Sequence, residues 1–235
     1  MKTHCILLAS GTGSRFGGDI PKQFVRVCGH MIVEYTLDAC LRTNSIDELI
    51  VVVSEPWRDA MEAVVAPLRS VKPIRVVPGG ATRRESCENG VATIPDEDAK
   101  VLLHNGVQPF ITPRTLGECV NALDRYDAVS VGSPCVYTVL ELDNNRELKR
   151  IVPRSHSVND LGPECFKLSF LRKVFAASRN DTGFTNLTGI IVRHGLGTVF
   201  VVDGDPSNTK ITYQDDLLFA ERKFSGYEFL ELNHG

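Results

Sequence analysis

Short, uninterrupted apolar runs recur along the chain, and amphipathic segments separate them. The runs are rich in β-branched residues and predict strands at Cys5–Ala9, Glu48–Ser54, Ile74–Val77, Lys100–His104, Ala128–Gly132 and Thr198–Val202. The segments between them predict helices at Met31–Arg42, Pro56–Leu68, Thr82–Ile94, Pro113–Arg125, Ser169–Arg179, Thr185–Gly195 and Thr212–Phe224. Strands that alternate with helices are typical of βαβ units. We therefore predict an α/β, Rossmann-like fold with a mostly parallel sheet flanked by helices.

One segment, from Pro134 to Pro163, breaks this alternation. It contains two short extended pieces, Val136–Leu142 and Lys149–Val152, around a polar turn at 143–145. This pattern predicts a protruding β-hairpin arm. Such an arm is often a dimerisation element, although a plain surface hairpin fits the sequence equally well. We predict a single domain over residues 1–235, with 134–163 as the inserted arm.

Composition and charge narrow the class of protein. The chain has 235 residues, of which 43% are hydrophobic and 23% charged, and its formal net charge is -3. Nothing here indicates a nucleic-acid or membrane surface, and no apolar stretch approaches the roughly 20 residues of a membrane span. The seven cysteines are dispersed without a CxxC pair, and the N-terminal residues do not resemble a signal peptide. We therefore expect a cytoplasmic protein.

A glycine-rich loop follows the first predicted strand and continues into the segment PKQF. Glycines such as Gly11 and Gly13 let backbone N–H groups approach phosphate oxygens, and Arg15 and Lys22 add positive charge. The P-loop pattern fails because no Ser or Thr follows Lys22. The dinucleotide fingerprint fails because its third glycine would be Phe16. These features indicate a loop that grips a triphosphate.

GTGSRFG followed by PKQF resembles the family of 2-C-methyl-D-erythritol 4-phosphate cytidylyltransferase and its relatives, the ribitol-5-phosphate cytidylyltransferases. Residues 78–86 resemble the family's GG-x-x-R-x-x-S segment, and residues 103–109 resemble its H-D-x-x-R-P turn. Residues 208–212 resemble its N-x-K-x-T segment. The resemblance therefore runs along the whole chain.

The resemblance implies a CTP-dependent nucleotidyltransferase. A substrate phosphate oxygen would attack the α-phosphorus of CTP and release pyrophosphate; a phosphate ionised at neutral pH needs no general base. The resemblance implies that the catalytic residues are Arg15, Lys22 and Lys210. It implies CTP-binding residues at Ala9, Ser10, Gly11, Thr12, Gly13, Gly79, Gly80, Arg83, Ser86 and Asn105. Mg²⁺ would bridge CTP phosphate oxygens, and we predict no direct protein ligand for it.

The resemblance also assigns the arm a part in the site. In the family an arginine at the exit of the arm reaches the substrate phosphate from the partner subunit. Arg154 is the corresponding residue, with Arg150 and His156 as nearby alternatives. This implies a homodimer with an active site that the two subunits share, although an ordinary exposed arginine is an equal alternative.

Four positions depart from the family's pattern, one near the triphosphate and the others near the acceptor. Asn105 and Asn186 replace aspartates, Gln108 replaces an arginine, and Gly162 replaces a threonine. Together with Arg154, residues Gln108, Gly162 and Asn186 are the predicted acceptor-binding residues. The departures favour a polyol phosphate such as ribitol 5-phosphate, used for surface polysaccharide precursors. Two alternatives stay open: 2-C-methyl-D-erythritol 4-phosphate as the acceptor, and a non-catalytic nucleotide-binding relative.

Overall fold

The structure is a computed structural model and describes residues 1–11, 13, 16–18, 20–179, 181 and 186–231. Within these residues it has twelve strands and seven α-helices. The strands are β1 (Lys2–Ala9), β2 (Arg26–Val27), β3 (His30–Met31), β4 (Glu48–Val53), β5 (Ile74–Pro78), β6 (Ala99–Asn105), β7 (Ala128–Pro134), β8 (Val139–Leu142), β9 (Leu148–Val152), β10 (Val158–Asp160), β11 (Glu164–Lys167) and β12 (Phe200–Asp203). The helices are α1 (Ile32–Leu41), α2 (Arg58–Val65), α3 (Arg83–Ala92), α4 (Pro113–Ala122), α5 (Leu168–Ala177), α6 (Leu187–Arg193) and α7 (Asp216–Phe224).

Eight strands form one mixed sheet in the order β10-β7-β11-β6-β1-β4-β5, and β12 pairs with β7. Strands β1, β4, β5 and β6 are parallel, so their carboxyl ends lie at the same edge. The register places Ala9 beside Val53 and Leu8 beside Asn105. The predicted α/β fold with a mostly parallel, helix-flanked sheet is confirmed. In such sheets, ligands bind beyond the carboxyl ends of the strands.

Two strands of the main sheet were not predicted from the sequence, and they lie between or beside the predicted ones. β11 runs antiparallel between β6 and β7, and β10 runs antiparallel to the end of β7. β10 is short and fully exposed, so it carries no apolar alternation that could predict a strand. Because β10 belongs to the main sheet, the part of 134–163 that leaves the sheet is the separate β8–β9 hairpin.

The helices cover the sheet in two layers. In β1 the side chains of Cys5 and Leu7 pack in one core with α1, α2 and α4, whereas Ile6 and Leu8 pack in the other with α3, α5 and α6. Both faces of the central strands are therefore buried. This explains their uninterrupted apolar runs, which are typical of parallel sheets.

Local chemistry sets the ends of two predicted helices. The predicted helix 56–68 is shorter because Pro67 has no backbone N–H to continue α2, and a 3₁₀ turn, Pro67–Ser70, follows. The predicted helix that starts at Thr212 begins instead with Asp216. The Asp216 carboxylate accepts hydrogen bonds from the backbone N–H groups of Thr212 (2.6 Å) and Tyr213 (2.8 Å) and so closes a turn before the helix.

No helix in the described ranges is long and apolar enough to cross a membrane.

Candidate active site

A cavity of about 560 Å³ opens at the carboxyl edge of the sheet, where the segments that follow β1, β4, β5 and β6 meet. Predicted residues that line it are Ala9, Ser10, Gly11, Gly13, Lys22, Gly80, Arg83, Ser86, Asn105 and Lys210. The fold thus brings together residues as far apart in the chain as Ala9 and Lys210. It does so at the edge where ligands bind in this class of fold. Thr12 and Arg15, also predicted for this site, lie outside the described residues.

The PKQF segment holds the first loop against the end of β1. Lys22–Phe24 form a buried 3₁₀ turn. The side-chain amide of Gln23 donates to the carbonyl oxygens of Ala9 (2.6 Å) and Gly11 (3.3 Å). The Lys22 ammonium donates to the carbonyl of Ile211 (2.7 Å), which is the residue after Lys210. Gly13 has φ +72°, a conformation that favours glycine. This segment therefore fixes the loop and brings two predicted catalytic lysines to the cavity.

The second glycine pair is required by close packing. A Cβ atom on Gly79 would lie 2.5 Å from the Cβ of Ser10. The hydroxyl of Ser86 accepts from the backbone N–H of Gly80 (3.1 Å) and lies 3.0 Å from the hydroxyl of Ser10. Ser86 is 1% exposed. It therefore joins the loops after β1 and β5 and shapes the wall of the cavity.

Arg83 is the first residue of α3 and lines the cavity. A helix cap and two contacts of its guanidinium hold it in place. Thr82 caps the helix through the backbone N–H of Glu85. The Arg83 guanidinium donates to the Asn105 side-chain oxygen (2.8 Å) and lies 3.4 Å from a Glu164 carboxylate oxygen. Glu164 also accepts from the backbone N–H groups that begin α6, at 2.6 and 2.9 Å. Burial raises the pKa of Glu164, and the N–H donors and Arg83 act in the opposite direction.

Gln108 is buried behind Asn105. Its side-chain oxygen accepts from the Asn105 amide (3.0 Å), and its side-chain N–H groups donate to the carbonyls of Leu161 and Asn208. Both ends of the Gln108 amide are therefore engaged within the protein. Its predicted contact with the acceptor stays a prediction. In its present place, Gln108 joins the end of β6 to the β10–β11 junction.

His104 lies under the same turn and is 1% exposed. Its Nε2 lies 3.0 Å from the carbonyl oxygen of Gln108. Since a carbonyl only accepts, Nε2 carries the proton and Nδ1 does not. Burial lowers the pKa of His104 to about 4, so the ring is neutral at pH 7. His104 therefore supports the turn without adding charge to the cavity.

The other predicted acceptor residues do not line the cavity. Asn186 caps α6 by accepting from the backbone N–H of Gly189 (3.2 Å), and its amide donates to Asp160 (3.1 Å). Gly162 lies between β10 and β11. Arg154 is exposed near the base of the arm and donates to the carbonyl of Val136 (3.1 Å). Unlike Lys22 and Lys210, Arg154 is therefore not among the residues that line this cavity within one chain.

The described charged side chains that line this cavity are all positive. Lys22, Arg83 and Lys210 line it, whereas no Asp or Glu is among its described lining residues. Anionic oxygens bind best where cations and backbone N–H groups converge. The arrangement therefore suits a polyanion such as a triphosphate.

Sequence reasoning did not single out Gln23, Glu164 or Asp160. Gln23 and Glu164 act mainly through hydrogen bonds with backbone groups, which leave no characteristic spacing in a sequence. Asp160 lies in the short strand that also went unpredicted. Among the described residues, no three His, Cys, Asp or Glu side chains come together as a group that could hold a metal ion.

Comparison with known proteins agrees with this geometry. The family sequence model for IspD, 2-C-methyl-D-erythritol 4-phosphate cytidylyltransferase, matches residues 3–225. The chain is 33% identical to the 2-C-methyl-D-erythritol 4-phosphate cytidylyltransferase of Thermobifida fusca over 92% of its own length and 90% of that protein. It is 30% identical to the Haemophilus influenzae bifunctional ribulose 5-phosphate reductase/CDP-ribitol pyrophosphorylase Bcs1, over 97% of its own length and 49% of Bcs1.

A solved structure shows the same fold. The crystal structure of 4-diphosphocytidyl-2C-methyl-D-erythritol synthase from Anaerococcus prevotii superposes with a TM-score of 0.85 and 25% identity, covering 95% of this chain and 96% of that one. The family match covers nearly the whole chain and includes every segment that forms the cavity. The chain therefore belongs to the IspD family and is a CTP-dependent cytidylyltransferase.

Proposed function

We propose that this cytidylyltransferase transfers the cytidylyl group of CTP to the phosphate of a small phosphorylated polyol, such as ribitol 5-phosphate, and releases pyrophosphate. The observation that carries the proposal is the cavity at the carboxyl edge, which three cations line and which contains no carboxylate among its described lining residues. Two anions must meet there for the reaction to occur, and the main task of the protein is to place them and neutralise their repulsion.

In this mechanism an oxygen of the acceptor phosphate attacks the α-phosphorus of CTP. A new P–O bond forms as the bond to pyrophosphate breaks, and no proton has to be removed from the ionised nucleophile. Lys22 and Lys210 neutralise charge on the α-phosphate, Arg83 stabilises the nucleotide, and Arg15 contacts the triphosphate. Mg²⁺ bound with CTP would supply further charge neutralisation. The side-chain oxygen of Asn105 already accepts a hydrogen bond from Arg83. This favours a metal held mainly by the nucleotide over one held by the Asn105 amide.

The choice of a polyol phosphate rests on the acceptor side of the site. By the resemblance of the sequence to the family, Gln108, Gly162 and Asn186 on the acceptor side, and Asn105 beside the nucleotide, differ from the family's usual residues. Bcs1, whose name includes CDP-ribitol pyrophosphorylase, is 30% identical to this chain. Other relatives are named 2-C-methyl-D-erythritol 4-phosphate cytidylyltransferases, so that acceptor is the alternative. The two are separated by measuring pyrophosphate release from CTP and Mg²⁺ with each acceptor in turn.

The nucleotide-binding half of the proposal is tested with Lys22→Ala. Loss of a cation from a transferring phosphoryl group lowers kcat by about 10²- to 10³-fold. Lys173→Ala is the matched control, because Lys173 is an exposed lysine of α5 away from the cavity. Near-complete activity in Lys22→Ala would contradict the assignment. If CTP binds and neither acceptor nor a wider panel of small phosphates reacts, the chain is a non-catalytic relative.

We also propose that the protein is a homodimer and that the arm carries Arg154 to the partner's acceptor site. The arm exposes apolar side chains, among them Tyr137 (83%), Leu148 (57%) and Ile151 (59%), which are costly to leave in water. Lys22→Ala and Arg154→Ala chains are each expected to be inactive. Mixed dimers would have one intact site, so random mixing restores about a quarter of wild-type activity. No recovery on mixing, or a monomer in sedimentation, would contradict the shared site.

A further inference from the structure

Asp160 is a charged residue at the carboxyl edge of the sheet that no motif predicted. It is the last residue of β10 and pairs with Gly132 near the end of β7. β11 is antiparallel to both β6 and β7, so these two strands are parallel and end at the same edge. Asp160 therefore lies on the side of the sheet where the cavity opens. The link to the cavity runs from Asn105 through Gln108 to Leu161.

Three donors from different parts of the chain orient the Asp160 carboxylate. Its Oδ1 accepts from the hydroxyl of Ser130 (3.0 Å) and the backbone N–H of Gly162 (3.2 Å). Its Oδ2 accepts from the amide of Asn186 (3.1 Å). A carboxylate has about four lone-pair positions. One position on Oδ2 is therefore available, and the residue is exposed.

Within the described residues, the space beside Gly162 is open. Gly162 has φ +54°, and a Cβ atom added to it would approach only one non-neighbouring atom of the described part of the chain, the Gln108 side-chain oxygen at 4.0 Å. The place that a side chain at position 162 would fill is thus available to a ligand. Within the described residues, no ion pair closer than 4.0 Å includes Asp160. The carboxylate is therefore fixed in direction and can accept one more hydrogen bond from a ligand.

We propose that Asp160 is a specificity-determining residue that accepts a hydrogen bond from a hydroxyl group of the acceptor. This inference rests on the proposed function and assigns a residue to the acceptor's hydroxyl end. Electrostatics supports the orientation. The phosphate of the acceptor is attracted to the lysine side of the cavity and repelled by Asp160, so the end that faces Asp160 is the one that carries hydroxyl groups. Asp160 would thus select hydroxyl-bearing phosphates over alkyl phosphates of the same length.

The competing explanation is that Asp160 only holds Asn186 and the β10–β11 junction. An exchanged pair separates the two. In Asp160→Asn the new amide would face the amide of Asn186, and that hydrogen bond would be lost. The double variant Asp160→Asn/Asn186→Asp restores the bond with donor and acceptor reversed, and the new carboxylate at position 186 can still accept from Gly189 and cap α6. The hydrogen bond that joins the two residues is thus restored, whereas position 160 still lacks a carboxylate for the acceptor.

The experiment measures KM for CTP and for two probes, ribitol 5-phosphate and n-pentyl phosphate, by pyrophosphate release. 2-C-methyl-D-erythritol 4-phosphate replaces ribitol 5-phosphate if it is the acceptor that turns over. Asp160→Asn is expected to raise KM for the hydroxylated acceptor about ten- to a hundredfold, the usual range for a hydrogen bond to a charged group. KM for CTP and for pentyl phosphate should change less than about twofold, and the exchanged pair should stay impaired. Ser130→Ala, which removes one donor and keeps the carboxylate, is the control with a small effect.

Three results would overturn the inference: unchanged KM in Asp160→Asn, an equal loss with pentyl phosphate, or wild-type KM in the exchanged pair. The last two would show a purely structural role. Each of these leaves the proposed function intact, because the wild-type protein still transfers the nucleotide. Absence of turnover by the wild-type protein with every hydroxylated phosphate would instead remove the proposed function and this inference together.

Discussion

Acidification should destabilise this protein through His104 before most of its carboxylates are protonated. The ring is 1% exposed at the end of β6, its Nε2 donates to Gln108, and its Nδ1 is buried without a hydrogen-bond partner among the described residues. Protonation would place a positive charge in this buried position. Arg83 and Lys210 add repulsion, although burial is the largest cause of the lowered pKa.

The size of the effect follows from proton linkage. The pKa of His104 falls from 6.5 to about 4 on folding. The folded state thus favours the neutral ring, and the corresponding stability is present above pH 6.5 and is lost as the pH falls towards 4. At about 1.36 kcal/mol per pKa unit, the full loss is about 3 kcal/mol, of which about 2 kcal/mol is lost by pH 5. This is a large part of the roughly 5–15 kcal/mol that stabilises a typical domain.

The assay is urea unfolding at pH 7.5, 6.5, 5.5 and 5.0, for the wild type and for His104→Gln. Glutamine keeps an N–H donor for the Gln108 carbonyl but does not titrate. The difference in unfolding free energy between the two proteins should change by about 2 kcal/mol across this range. His156→Gln, at an exposed position of the arm, should follow the wild type. A constant difference between wild type and His104→Gln would refute the reasoning.

Two further predictions concern the cavity wall. Gly79→Ala should weaken CTP binding by tenfold or more in calorimetry, because the new Cβ would lie 2.5 Å from the Cβ of Ser10 and displace the loop. Gly204→Ala creates a close contact with Val131 but does not line the cavity, so it should lower stability and leave CTP affinity near wild type. Equal losses of CTP affinity in both variants would argue against a local effect. Glu164→Gln keeps an oxygen for the N–H groups of α6 but turns an amide towards Arg83, so KM for CTP should rise about three- to tenfold. Little stability should be lost, because burying the carboxylate is itself costly. An unchanged KM would show that Glu164 does not orient Arg83.

The sequence predicts most of the sheet because its central strands are buried on both faces. Glu48–Val53 is almost wholly buried, so its apolar run is unmistakable. β11 was missed because it has only four residues, of which Glu164 and Lys167 are charged. The burial of Glu164 depends on Arg83 and on the backbone of α6, which are tens of residues away in the chain. Local pattern contains no information about such partners.

The candidate site also has a part that the sequence predicted and a part that it did not. Lys22 was predicted because it follows a glycine loop that suits a phosphate, whereas Arg83 and Lys210 were predicted because their segments resemble those of the family. All three line one cavity. Asp160 belongs to no recognisable sequence motif. Its relation to Asn186 and Gly162 arises only when the return strand of the arm pairs with β7. Nucleotide chemistry was therefore predictable from local sequence, whereas acceptor chemistry depends on how distant segments meet.

The hydrogen bond from Lys22 to the carbonyl of Ile211 spans 189 positions in the chain. Lys22 lies in the segment after β1, whereas Ile211 lies between β12 and α7. Contacts of such long range form late because the intervening chain must first be ordered. A chain without residue 211 would therefore contain the glycine loop but lack the carbonyl that accepts from Lys22. The loop after β1 thus depends on the segment before α7, and the two must fold together before the site is complete.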